Sequence, residues 1–188
     1  MSNSGDIPRL AFDDVDGALH AQLKPTVDRL GYFGEFFQVA AHVPGAVPAF
    51  MTYTAAVKAP LADAQNEVLA LTVCSMLEAD YERIQHERLA AKLGLAREWI
   101  AAAESRAGSH ASVLKDDERL LQALAQAMVT RHGLRCDDEL HAVAATLGHV
   151  KAVAALLQIS RFVTIALICN ALHLELPVPS IFDAPPSA

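Results

Sequence analysis

The run EVLALTVCSML at 67–77 is apolar on nearly every side, which predicts a helix buried over most of its surface, with Asp63 as its N-cap. The stretch that follows, ADYERIQHERLA at 79–90, is too polar for core and too regular for loop. Read as a helix capped by Asp80 and stopped at Gly94, it puts Ala79, Glu82 and His86 on one stripe. Upstream, a weak helix is predicted over 16–30 with a break at Pro25. Gly31 and Gly34 then open a segment over 35–41. HVPGAVPAFMTYTAAV reads as a turn entering a helix, because proline is tolerated in a first turn and not in an interior. Downstream, Asp116, Asp117 and Glu118 begin a helix whose last turn holds Arg131 and His132 before Gly133, acids first and bases last as the helix dipole favours. A helix over 137–147 stops at Gly148, and the last, over 149–173, would be about 37 Å long at 1.5 Å per residue. No window alternates apolar and polar residues between hairpin turns, so the reading is an all-α protein. It divides into an N-terminal arm (1–32) carrying the weak helix, a helical domain (33–177) and an extended, proline-rich tail (178–188). The first six residues are expected to be disordered.

Composition sharpens this picture. Apolar residues make up 53% of the 188 and charged residues 20%, against about 45–50% and a quarter in typical domains. That is more apolar side chain than one small globule needs, and the surplus predicts a homo-oligomer. The formal net charge is −7 with no basic cluster to neutralise phosphates, which argues against nucleic acid as a partner. Cys74, Cys136 and Cys169 are widely spaced, form no CxxC and are read as reduced thiols. The N-terminus carries no positive or apolar signal region, so a cytoplasmic protein is expected. Two apolar stretches invite a membrane reading. Prolines interrupt 36–57 and Arg161 interrupts 152–174, so both are read as buried helices and no membrane partner is expected.

Candidate chemistry centres on 67–86. Spacing i, i+4 brings Glu82 and His86 within hydrogen-bond reach on one helix face, so the carboxylate can orient the imidazole and favour its protonated form. A proton donor working near neutral pH would result. Glu67, a lone acid on the preceding apolar helix, can meet the pair across the turn as a second proton-transfer group. A Glu/His pair on a solvated face is otherwise a minor structural contact of about 0.3–0.5 kcal/mol. Tyr81 reads either as a half-buried packing residue or as a substrate contact. Arg161, a guanidinium in an apolar helix, needs either a structural ion-pair partner or a substrate carboxylate. The eight histidines lack HxxxH, HxH or HExxH spacing, so no metal site is read, and no Gly-rich phosphate loop or nucleophile elbow implies a cofactor.

The segment NEVLALTVCSMLEADYERIQHERLAAKLGL resembles the carboxymuconolactone decarboxylase family: a Glu early in one helix, a sharp turn, then a Tyr-Glu…His run opening the next. The resemblance spans about 33–177, with the sharp motif at 67–86 and patterned flanks. It implies an alkylhydroperoxidase D-like helical bundle assembled as a trimer or hexamer. One branch of that family is a thiol peroxidase with a CxxC at the turn, but here the two cysteine positions hold Ala79 and Glu82. Neither can attack a disulfide or resolve one, so residual peroxidase activity through Cys74 is disfavoured. The branch without cysteines implies a cofactor-free lyase acting on a small carboxylated lactone or organic acid. His86 would be its general acid/base, Glu82 the orienting partner and Glu67 a second proton-transfer group, with Tyr81 and Arg161 as substrate contacts. Phe162 stands where relatives often have tyrosine, which points to a different substrate. The competing reading is a non-catalytic oligomeric helical module binding a ligand in the same cleft.

Overall fold

In a computed structural model that describes residues 7–106 and 113–183, the chain forms helices α1 (Gly17–Leu30), α2 (Glu35–Ala40), α3 (Ala46–Lys58), α4 (Asp63–Met76), α5 (Asp80–Lys92), α6 (Arg97–Glu104), α7 (Asp116–Thr130), α8 (Asp137–Leu147) and α9 (His149–Ala171). A 3-10 turn, Phe12–Asp14, precedes them, and no strand occurs among the described residues. The expectation for residues 1–6, and that for 184–188 of the tail, lie outside them.

α4 is the axis of the bundle. Every residue from Gln65 to Cys74 is buried, as its all-round apolar pattern requires, and α5, α6, α7 and α9 pack around it. Val68, Leu69 and Leu71 share one core with Ile100 of α6, Leu121 and Leu124 of α7, and Ile159 and Phe162 of α9. A second, smaller core lays α1 on α2 and α3 through Leu19, Leu23, Ala41 and Val47. α9 is long and apolar enough to cross a bilayer by length and composition, yet it serves here as a core helix.

Several sequence expectations need correction. α1 does not break at Pro25. The ring removes one helical amide, but burial of Leu19 and Leu23 holds the helix, which closes at Gly31 (φ 81°) with the Gly31 amide donating to the Val27 carbonyl at 2.8 Å. Asp63 and Asp80 are the first helical residues, one position past the caps. At α4 the Gln65 side chain accepts from the Ala62 amide at 3.0 Å, and Asp80 instead pairs with Arg83 at 2.8 Å. Arg131 and His132 fall just beyond α7, where His132 (φ 55°) and Gly133 (φ 76°) turn the chain away, and α9 ends at Ala171 because His173 turns likewise. α6 has no counterpart in the sequence reading. Its Trp99 indole donates to Glu118 at 2.9 Å, a partner on α7 that also accepts from the Lys115 amide.

After α9 the chain runs without helix to residue 183, and it is strapped to α5 and α6. The Ser180 hydroxyl and the Ile181 amide both donate to the fully buried Glu87 carboxylate, which also pairs with Arg83. Arg97 donates to the Ile181 carbonyl at 2.8 Å and covers the Phe182 ring. Glu104 lies beside this cluster, and burial, with the charge and hydrogen bonding of Glu87, pushes its carboxyl up to about 7 against the opposing Arg83. A carboxyl raised on folding stabilises fully below its unfolded value of 4.5, and that contribution fades as pH climbs through 7. Glu104→Gln is therefore expected to melt higher than wild type at pH 8 and no higher at pH 4.5. Thermal melts at the two pH values check this.

Candidate active site

The turn between α4 and α5 folds the polar helix back along the apolar one, and this sets Glu67 against His86. His86 Nδ1 lies 2.7 Å from Glu67 Oε2, and Glu67 is 1% exposed. A carboxylate can only accept, so Nδ1 carries a hydrogen and donates it, which leaves Nε2 for the adjoining cavity. The expected Glu82–His86 hydrogen bond is absent: Glu82 Oε2 stands 3.8 Å from Nε2. Neighbouring turns of α5 bring Glu82 near, whereas α4 presents Glu67 end-on to the ring. The three groups thus converge with the two acids on opposite ring nitrogens. Burial disfavours the imidazolium, but the charge and hydrogen bond of Glu67, helped by Glu82, outweigh burial and the repulsion of Arg161, so the His86 pKa is raised.

Arg161, 7% exposed on α9, has no carboxylate partner among the described residues. Its Nε donates to Gln158 Oε1 at 3.0 Å, and its guanidinium lies 4.0 Å from the centroid of the Phe162 ring. The chain of polar groups continues inward: Gln158 Nε2 donates to Asn66 Oδ1 at 2.9 Å, and Asn66 Nδ2 donates to the carbonyls of Leu61 and Ala62. Every amide in this relay has its direction fixed, so Arg161 is held by Nε and its two Nη groups are left for the cavity. Burial lowers the Arg161 pKa, and Glu82, Cys74 and Glu67 oppose that. The structural salt bridge considered from sequence is not formed among the described residues. Asn66 and Gln158 were missed by sequence reasoning, although both are polar residues inside otherwise apolar helices.

Two cavities meet at Arg161. One, about 530 Å³, is walled by Glu67, His86, Gln158 and Phe162, with Lys58, Arg88 and Lys92 also lining it. The other, about 300 Å³, is walled by Phe36, Phe50, Met51 and Ile165, with Tyr81 and Glu82 facing it. Arg29, Leu30, Thr54 and Gln85 line both. Residues of α1, part of the stretch assigned from sequence to an arm, therefore help to close the site. The Phe162 ring touches both His86 and Arg161: it is edge-on to the imidazole with centroids 5.1 Å apart and lies under the guanidinium.

Tyr81 is buried, beyond the half-burial expected. Its hydroxyl accepts from the Phe36 amide at 3.2 Å, and burial holds the phenol well above its usual pKa, so it keeps its proton. Gly34 makes room for it: a Cβ there would come 2.7 Å from the Tyr81 hydroxyl. Gly34→Ala is accordingly expected to lower stability by about 1–3 kcal/mol through overpacking, and adding Tyr81→Phe should restore most of the loss. A double-mutant cycle in urea measures it.

Two of the three sulfurs, those of Cys74 and Cys169, are placed unfavourably for thiolate chemistry. Cys74 is fully buried and its thiol is pushed well up by desolvation, as is that of Cys169.

No family model and no curated protein matches the chain. Solved structures do. A peroxidase-related protein of Ralstonia eutropha JMP134, described as an alkylhydroperoxidase AhpD core, superposes with TM-score 0.75 at 13% identity, covering 89% of this chain and 90% of that one. A peroxidase-related protein of Silicibacter sp. TM1040 gives TM-score 0.75 at 12% identity, covering 92% of each chain. A protein of unknown function from Agrobacterium tumefaciens, described as a putative antioxidant defence protein AhpD, gives 0.67 at 20% identity, covering 74% of this chain and 96% of that one. The chain has the AhpD-like all-helical fold.

Proposed function

We propose that this protein is a thiol-independent acid/base enzyme of the decarboxylase-like kind, acting on a small organic acid or carboxylated lactone. The observation that carries the reading is the orientation of His86. A buried carboxylate holds one ring nitrogen, while the other lines a cavity that also contains a buried guanidinium with no carboxylate partner among the described residues. In decarboxylation the bond from carbon to the carboxylate breaks, CO₂ leaves and the electron pair passes into an adjacent carbonyl. His86 Nε2–H then delivers a proton to that carbon. Arg161 is the fixed cation that holds the substrate's acid group beside Nε2. Glu67 takes the orienting role first assigned to Glu82, and Glu82, across Nε2, is placed to return the proton to His86.

The non-catalytic reading calls for exposed Glu82 and His86 side chains and no pocket. Their side chains are 11% and 16% exposed and border the two cavities. Thiol peroxidase chemistry, suggested by the descriptions of the structural neighbours, is placed second because Cys74 is buried and protonated. CO₂ release from a panel of carboxylated lactones and β-keto acids tests the proposal, and hydroperoxide turnover abolished by Cys74→Ser would support the second reading instead.

We propose further that the protein self-associates through α9. Val150, Val153, Leu157 and Leu167 recur along its outer face and are 42–73% exposed, an apolar stripe a second copy would cover. A trimer or hexamer is expected by sedimentation equilibrium, and a monomer for Val153→Lys with Leu157→Lys.

A further inference from the structure

Apart from Glu82 on its wall, the 300 Å³ chamber next to Arg161 has no part in the proton transfer described above. Its walls are the rings of Phe36 and Phe50 with Met51 and Ile165, an apolar lining far larger than a bare acid group requires. At the junction with the His86 cavity stand two groups with hydrogen-bonding capacity to spare among the described residues: the Arg161 Nη atoms, since Arg161 donates through Nε, and the Thr54 hydroxyl, which is buried without a hydrogen-bond partner. A buried guanidinium whose Nε is tied to a rigid amide relay offers two parallel N–H groups in a fixed direction, the geometry that a planar carboxylate matches. An acid group seated there has apolar walls on one side and His86 on the other.

We propose that the two cavities form one bipartite site for carboxylates carrying an apolar, aryl-sized tail, with the acid group on Arg161 and Thr54 and the tail in the Phe36–Phe50 chamber. This deepens, and rests on, the reading of the cavity as an organic-acid site. It places the tail in the chamber and the carbons next to the acid group beside His86 Nε2. Small hydrophilic acids would leave the chamber unfilled and bind weakly.

Isothermal titration of the full-length protein with propionate, 3-phenylpropionate and 3-phenylpropionamide tests this without turnover. The phenyl acid is expected to bind roughly tenfold or more tighter than propionate, from the apolar surface it buries, and tighter than the amide by a similar factor, from its charge. Arg161→Met should remove the preference for acid over amide. Met51→Trp, a partly exposed position where a larger side chain fills the chamber, should remove the preference for the phenyl tail, and it keeps the test open if the Arg161 variant does not fold. His86→Ala should change neither ratio. Equal affinities for the two acids, for acid and amide, or no binding of any of the three overturns the proposal. So does a preference that survives its own variant. The two readings fail separately: a protein with these preferences but no CO₂ release loses the acid/base chemistry alone, and an active decarboxylase without them loses only the bipartite site.

Discussion

Replacing His86 by alanine is expected to lower the rate of CO₂ release by about 10²–10⁴-fold, the range by which a positioned general acid or base accelerates a reaction. The loss should appear in kcat more than in KM, because Nε2 acts on the reacting carbon whereas Arg161 and the apolar chamber hold the substrate. Glu67→Gln should produce a smaller fall, since an amide can still accept from Nδ1 through its oxygen but no longer favours the imidazolium. The pH profile separates these variants. His86 must be protonated to donate, so the wild-type rate should decline as pH rises through a value above the ordinary 6.5, and in Glu67→Gln the decline should begin at lower pH. The same linkage acts on stability. A histidine whose pKa is raised by folding stabilises fully below its unfolded value, and that contribution disappears as pH rises through the folded one. Steady-state rates across pH 5–9 for the three proteins check the set.

The second large effect concerns Phe162, 1% exposed on α9 with Ile159 and Leu69 in the main core. Phe162→Ala is expected to destabilise by about 3–5 kcal/mol, combining lost apolar transfer with the cavity left behind. The Arg161 guanidinium over the ring face adds a contribution of about 0.5–2 kcal/mol that the same truncation removes. Phe162→Leu, which keeps most of the volume, should cost less and yet still loosen both His86 and Arg161, because the ring packs against each of them. Urea denaturation gives the stabilities. A midpoint shift at constant slope is expected, and a change of under about 1 kcal/mol for the alanine variant would mean that the site collapses around the deletion.

How much of this was readable in the sequence depends on how local the determining contact is. Gly94 and Gly148 marked helix ends correctly because a glycine stop is decided within a few residues. The buried character of α4 was legible for the same reason, and so was Glu67 as the one acid within its apolar run. Pro25 misled because its local penalty is met by burial of Leu19 and Leu23 against residues on other helices. α6 was invisible because its short amphipathic pattern depends on Trp99 reaching Glu118. At the site, spacing along α5 correctly brought Glu82 near His86 but could not show which acid meets the ring. That is set by the angle between α4 and α5, which gives Glu67 the 2.7 Å contact and leaves Glu82 at 3.8 Å. The relay from Asn66 through Gln158 to Arg161 joins positions 92 and 3 residues apart and has no signature in either local pattern.

The most direct measurement is the ¹⁵N NMR titration of the His86 ring in the intact protein. Glu67 holding Nδ1 predicts a neutral form protonated at Nδ1, with a pKa above that of free histidine that falls in Glu67→Gln. A neutral form protonated at Nε2, or a pKa indifferent to Glu67, would contradict the account.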